Sequence, residues 1–182
     1  LVCLLVTTFE WYKMCKKKKY FLSGIIFLLF SFFTVYDLRS DDLNLFLFLL
    51  IILTCISTDI GGYVFGKIFK GPKLNKISPN KTYSGMFGGF FLSIISINIL
   101  INNNHHFADV YFVEFTVEIF ILVLSISLVS QIGDLTVSYF KRLTKIKNTG
   151  KIIPGHGGLL DRIDGMIFAF PFAYILFNFF IK

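Results

Sequence analysis

Charge is scarce in this chain and unevenly divided. Only 16% of its 182 residues are Asp, Glu, Lys or Arg, with 11 acidic against 18 basic. Cysteine is scarcer still, and Cys3, Cys15 and Cys55 are odd in number, widely spaced and set in or beside apolar runs. That excludes a disulfide framework and offers no metal-ligand spacing, so the three are read as structural. The chain also lacks an aromatic-interleaved basic sheet or a zinc-finger pattern, which excludes a nucleic-acid surface as the meaning of its +7 charge. No soluble accessory domain or linker is visible. The chain opens on Leu1 rather than Met, and the apolar run Leu1 to Phe9 lacks the basic start of a signal peptide. It is expected to be the tail of a truncated membrane helix.

What remains is apolar. Residues of that kind make up 55% of the chain, aromatics 18%, and the mean hydropathy is +0.73. A disordered or collagen-like chain is excluded, and a membrane protein is the expectation. Six apolar stretches are visible: Leu1 to Trp11, Tyr20 to Tyr36, Leu43 to Phe65, Tyr83 to Ile101, Val110 to Ile132 and Ile163 to Ile181. Runs this long read as spanning helices rather than strands, because only a helix satisfies its own backbone inside lipid. The expected fold is therefore all-α, a polytopic integral membrane protein with about six transmembrane helices, forming one membrane-embedded domain over residues 1–182.

The basic residues sort by loop. Lys13 and Lys16 to Lys19 precede the second stretch, Lys67, Lys70, Lys73, Lys76 and Lys81 lie between the third and fourth, and Lys141, Arg142, Lys145, Lys147, Lys151 and Arg162 lie between the fifth and sixth. Sixteen of the 18 thus fall on one side of a six-span arrangement, which the positive-inside rule makes the cytoplasm. The charge is then a topological signal plus attraction to anionic lipid headgroups. Both long polar segments, Lys67 to Thr82 and Ser138 to Arg162, fall on that side, where a cytosolic phosphorylated substrate would meet them. The opposite side has short turns, including Asn102 to His106, whose paired histidines lack a carboxylate or cysteine partner and are read as exposed loop residues.

Four carboxylates stand at the lysine-rich ends of the stretches: Asp59, Asp134, Asp161 and Asp164. A charge next to lipid is costly, about 2.5–3.5 kcal/mol at a helix centre and less near the surface, so such residues are functional candidates unless they merely pair with nearby lysines. Asp134, Ser138, Lys141 and Arg142 recur at i, i+4, i+7 and i+8, one polar stripe on a helix. A carboxylate, a hydroxyl and two cations on one face suit a metal and its phosphate ligands. Downstream, IIPGHGGLLDRIDG carries Pro154, Gly155, His156, Gly157 and Gly158, a break whose glycines let backbone amides approach an anion. Asp161 and Asp164 follow three apart with Arg162 between them, a pair able to hold a hard divalent cation with few protein ligands. Upstream, Asp59 stands beside Gly61 and Gly62, either at a site or within close helix packing. Asn80 and Lys81 lead into the fourth stretch, either as phosphate holders at a helix start or as an ordinary capped start.

Those residues resemble a known family. SYFKRLTKIKNTGKIIPGHGGLLDRID, Ser138 to Asp164, is similar to the signature of the phosphatidate cytidylyltransferases, also called CDP-diacylglycerol synthases: S-x-x-K-R-x(4)-K-D, then P-x-H-G-G-x-x-D-R-x-D. The match holds at Ser138, Lys141, Arg142, Lys147, Pro154, His156, Gly157, Gly158, Asp161, Arg162 and Asp164. STDIGGYVFGK, SPNKTYSGMFGG and the pair Glu10–Trp11 also look like family motifs, and members are usually longer at the N-terminus. One position departs: Asn148 stands where the family usually has aspartate, keeping an oxygen acceptor and losing a charge.

The resemblance implies transfer of CMP from CTP to phosphatidate, giving CDP-diacylglycerol and pyrophosphate at the cytoplasmic face of the cell membrane. It implies magnesium on Asp134, Asp161 and Asp164, with room for a second cation. Lys81, Lys141, Arg142 and Arg162 would clamp phosphates and Ser138 would supply a hydroxyl to the ligand shell. His156, Gly157 and Gly158 would cradle the triphosphate, with His156 alternatively a proton donor to pyrophosphate. Asp59 and Asn80 would line the substrate site, and a homodimer is implied. Two other readings are open: a transporter with Asp59 and Asp134 as intramembrane ion sites, and a CTP-using lipid kinase. Neither accounts for the whole pattern from Ser138 to Asp164.

Overall fold

A computed structural model describes residues 1–39, 42–75, 77–103, 115–150, 152 and 157–178. Among these, the chain forms seven helices: α1 (Val2–Cys15), α2 (Phe21–Asp37), α3 (Asp42–Phe69), α4 (Tyr83–Asn103), α5 (Val117–Leu143), α6 (Leu160–Ile163) and α7 (Met166–Leu176). No strand occurs among the described residues; Lys73 and Thr82 make an isolated antiparallel bridge. Three helices are long and apolar enough to cross a membrane, Leu45–Phe69, Tyr83–Asn102 and Val117–Leu143, while Phe21–Asp37 and Met166–Leu176 are apolar but shorter. Among the described residues the all-helical architecture read from the sequence is therefore present, and its three helices of spanning length and two shorter apolar ones are consistent with a membrane protein.

Boundaries differ from the hydropathy reading in two places. Hydropathy bounds the fifth apolar stretch at Ile132, yet α5 continues to Leu143, because the polar stripe beyond Ile132 is itself helical and carries the helix past the apolar zone. The last stretch begins at Ile163 by hydropathy, but the chain turns at Asp164 and Gly165 before α7 starts at Met166. The start of the fifth stretch, the paired histidines and His156 lie outside the described residues.

Two apolar clusters hold the helices together. Leu50, Ile51, Ile97, Val123, Ile126, Phe170 and Ala173 join α3, α4, α5 and α7. Trp11, Cys15, Leu28, Val137, Leu160 and Ile167 join α1, α2, α5, α6 and α7. Trp11 anchors the second cluster twice, donating from Nε1 to the Phe21 carbonyl at 3.0 Å and meeting the Phe140 ring edge-on at 5.4 Å. Its neighbour Glu10 is thereby fixed in direction.

The α3–α4 hairpin is packed backbone to backbone. A Cβ on Gly85 would lie 2.6 Å from the Gly62 carbonyl oxygen, and one on Gly89 would lie 2.9 Å from that of Thr58. Small residues are required there, and helix packing in lipid favours such contacts. The connection between the two helices folds back tightly: Leu74 N donates to the Lys81 carbonyl at 2.8 Å, Tyr83 N to that of Pro72 at 3.2 Å, and Ser78 N to Asn75 Oδ1 at 2.8 Å. This hairpin carries Lys81 onto Asp134 of α5.

Candidate functional site

Asp59, Asn80, Lys81, Asp134, Lys141, Asp161, Arg162 and Asp164 all line one open cavity of about 490 Å³ at the lysine-rich ends of the long helices. Helices α3 and α5, the α3–α4 connection and the α6 segment each contribute. The sequence separated these residues by more than a hundred positions, and the fold brings them together.

Small residues set the approach of α5 to the α6–α7 turn. A Cβ on Gly133 would stand 3.0 Å from the Asp164 carbonyl oxygen, and one on Gly165 would stand 3.0 Å from that of Ser130. Asp134 and Asp164 each adjoin one of those glycines, so close backbone contact places their carboxyl groups within hydrogen-bonding reach of each other. Asp164 is 9% exposed, and its Oδ1 accepts the Gly165 amide at 3.0 Å. Asp59 faces the same group, with Asp134, Lys81 and Arg162 in electrostatic range.

Two ion pairs cross the cavity. Lys81 Nζ pairs with Asp134 Oδ2, and Lys141 Nζ donates to Asp161 Oδ1 at 2.8 Å. The second pair is the more buried, with side chains 11% and 9% exposed. Asp161 Oδ2 accepts two backbone amides, from Thr149 at 2.8 Å and Gly158 at 3.0 Å. Burial opposes ionisation of this carboxyl, but the bonds from Lys141, Thr149 and Gly158 and the lysine charge outweigh it and hold its pKa below the ordinary carboxylate value.

Some expected residues stand elsewhere. Ser138 is buried and donates to Asp134 Oδ1 at 3.3 Å, orienting that carboxylate from outside the cavity lining. Arg142 is exposed and reaches back to the Ile146 carbonyl at 3.5 Å, away from the cavity. Gly157 has φ of 90°, a backbone setting that glycine tolerates. A Cβ there would lie 2.9 Å from Asp161 Oδ2. The Gly158 amide is already committed to Asp161. At the fourth helix, Gly85 N donates to Thr82 Oγ1 at 3.1 Å, the geometry of a capped start.

Two residues given no role in the sequence belong to the same construction. Glu10, 2% exposed, accepts from Leu159 N at 3.0 Å, Leu160 N at 2.8 Å and Thr149 Oγ1 at 3.0 Å. Gln131 also lines the cavity, where its Nε2 donates to the Met86 carbonyl at 3.4 Å. An acidic residue closing an apolar run was the available signal for Glu10; its partners lie about 140–150 residues away in sequence.

Among the described residues no three His, Cys, Asp or Glu side chains form a ready-made cation cage. The donor set nevertheless suits magnesium, which takes one or two carboxylates and completes its octahedron with water and phosphate oxygens. Asp134 and Asp164 would be such a pair, since two carboxyl groups this close are not both ionised unless a proton or a cation lies between them. Asp161 has only Oδ1 to offer, and Lys141 holds it.

A model of the cytidylyltransferase family matches residues 1–180. A phosphatidate cytidylyltransferase from Staphylococcus aureus is 40% identical over 159 residues, which are 85% of this chain and 57% of that protein. Those from Rickettsia bellii and Rickettsia prowazekii are 34% and 35% identical over 169 and 170 residues, 92% of this chain in each case and 73% and 74% of theirs. The chain spans a little over half the length of the staphylococcal relative.

Proposed function

The chain belongs to the cytidylyltransferase family, and we propose that it performs the reaction in the names of its relatives, transferring CMP from CTP to phosphatidate to give CDP-diacylglycerol and pyrophosphate. The observation that carries this reading is the single cavity in which Lys81, Lys141 and Arg162 face Asp59, Asp134 and Asp164. Two polyanionic substrates need such a mixture: cations to draw phosphates together, and carboxylates to hold a divalent ion between them.

The lipid phosphate, with a second pKa near about 6, is largely ionised at neutral pH, so its oxygen attacks the α-phosphorus of CTP without a general base. The bond between the α-phosphorus and the bridging oxygen breaks, and pyrophosphate leaves with that electron pair. Lys141 and Arg162 bind the triphosphate and Lys81 the lipid phosphate. Each lysine exchanges its present carboxylate partner for phosphate oxygen. Asn80 and the Gly157 turn border the nucleotide, and His156 protonates the departing pyrophosphate. Magnesium held by Asp134 and Asp164, with Asp161 Oδ1 joining once Lys141 turns to phosphate, would neutralise charge on the phosphates; Asp59 leaves room for a second cation.

Thr58, Met86 and Gln131 also line the cavity, and the glycerol end of the lipid enters beside them. The lysine-rich end faces the cytoplasm of a cell membrane that the chain crosses about six times, and two copies form a dimer. The test is incorporation of cytidine-labelled CTP into chloroform-soluble lipid by the purified protein in phosphatidate micelles. Magnesium-dependent labelled lipid is expected. No lipid label from folded protein would overturn the reading.

A further inference from the structure

Two carboxylates, Asp161 and Glu10, hold Thr149 and the backbone of residues 158–160 from opposite sides. On the cavity side, Asp161 Oδ2 takes the Thr149 and Gly158 amides at 2.8 and 3.0 Å. On the α1 side, Glu10 Oε2 takes the Thr149 hydroxyl at 3.0 Å and the Leu160 amide at 2.8 Å, while Oε1 takes the Leu159 amide at 3.0 Å. Thr149 is thus held by both carboxylates, one through its amide and one through its hydroxyl. The fit around Glu10 is close, since a Cβ on Gly150 would come to 2.5 Å from Oε1 and one on Gly158 to 2.6 Å from Oε2.

Glu10 is buried to 2% exposure, and the ion pairs among the described residues use Asp134 and Asp161 instead. Its negative charge is met by two amides and a hydroxyl, bonds strengthened by that charge. A carboxylate placed this way is too far inside α1 and its neighbours to line the cavity, so any effect on chemistry passes through the segment it grips. Trp11, fixed to α2 and α5, keeps Glu10 from following the segment if it moves.

We infer that Glu10 is a positioning residue for Asp161: it fixes Thr149 and the Leu159–Leu160 backbone so that the Thr149 and Gly158 amides converge on Asp161 Oδ2. Asp161 Oδ1 is then left turned towards Lys141 and the cavity. Glutamine keeps the shape of Glu10 but has one acceptor oxygen, and its amide protons face the donor that the second oxygen served. The structural part of this inference stands by itself, and its kinetic part rests on the proposed cytidylyltransferase reaction.

The experiment compares the full chain with Glu10→Gln, Thr149→Val and the double variant, in phosphatidate micelles with CTP and magnesium. Amide hydrogen exchange is read at residues 158–162, beside kcat and KM for both substrates. Glu10→Gln is expected to raise exchange at Leu159 and Leu160 by about tenfold or more while α3 and α4 keep their protection. It should lower kcat by about tenfold or more with KM for phosphatidate within about twofold. Thr149→Val should shift both readouts the same way by less, and the double variant should be no worse than Glu10→Gln. Unchanged exchange and kcat in Glu10→Gln would overturn the inference, as would exchange raised equally throughout the molecule. If Glu10→Gln does not fold, Thr149→Val decides: a kcat loss with exchange confined to residues 158–162 supports the role, and native kcat overturns it. If the native protein makes no CDP-diacylglycerol, the reaction is refuted, while the exchange comparison still decides whether Glu10 holds the segment.

Discussion

Lys141 Nζ lies 2.8 Å from Asp161 Oδ1, joining the end of α5 to the short helix α6 across the cavity. The same α5 carries Asp134, whose Oδ2 is held by Lys81 from the α3–α4 connection. Three separate pieces of chain are therefore tied by two lysine–carboxylate pairs, and both pairs line the cavity. The Lys81–Asp134 pair, with both side chains 27% exposed, contributes little to stability. Under the proposed reaction both pairs hold cations ready for a better anion.

Asp161→Asn should abolish turnover, to less than about one part in a hundred, while the protein still folds and inserts. Asparagine offers one oxygen where Asp161 serves three donors, so a melting temperature lower by roughly 3–10 °C is also expected. Activity within about twofold of native, measured by lipid-phase cytidine label, would contradict the site assignment.

The depressed pKa of Asp161 gives a pH test. A carboxyl whose folded pKa lies below the ordinary value, about 3.9, stabilises the fold above that pH and loses the contribution as pH falls through the depressed value. The melting-temperature gap between native protein and Asp161→Asn should therefore be full from about pH 5 upward and narrow as the pH drops below about 4. A gap constant down to pH of about 3 would show that the hydrogen bonds do not favour the ionised form.

Gly133→Val should separate the two carboxylates that Gly133 brings together. Its Cβ would stand 2.8 Å from the Phe168 ring and 3.0 Å from the Asp164 carbonyl, an overpacking that costs about 1–3 kcal/mol. Because displacement by about 1 Å can cost about a hundredfold in rate, kcat should fall far more than stability does. Steady-state kinetics beside thermal unfolding check this, and equal native kcat would mean that the Asp134–Asp164 approach does not matter.

Asn148→Asp should change the rate by less than about threefold. Asn148 lines the cavity but is exposed, and the ion-paired carboxylates Asp134 and Asp161 already supply negative charge there. A gain of about tenfold, worth about 1.4 kcal/mol, would mean that the missing charge takes part.

Much of this site was legible in the sequence because its chemistry is concentrated in two polar segments next to apolar runs. The stripe on α5 shows where such reading succeeds and stops. At about 100° per residue, Lys141 lies about 20° from the direction of Asp134, and Arg142 about 80° from it on the other side. Accordingly Lys141 enters the cavity and Arg142 bends back to Ile146. Spacing alone grouped both. Hydropathy likewise ended the fifth stretch at Ile132, since it registers the lipid-facing part of a helix and not the polar turns that extend it. Glu10 was visible only as an acid beside a tryptophan, because a contact across about 150 residues leaves no local pattern. The Asp134–Asp164 approach depends on Gly133 and Gly165, whose meaning appears only once α5 and the α6–α7 turn are packed.

The most direct test of nucleotidyl transfer is to supply CTP labelled on the α-phosphate in one reaction and on the γ-phosphate in another, with phosphatidate and magnesium, and count the lipid phase. Attack at the α-phosphorus predicts α-label in lipid and γ-label wholly in pyrophosphate. γ-Label in lipid without α-label would contradict the account and make the protein a CTP-dependent lipid kinase.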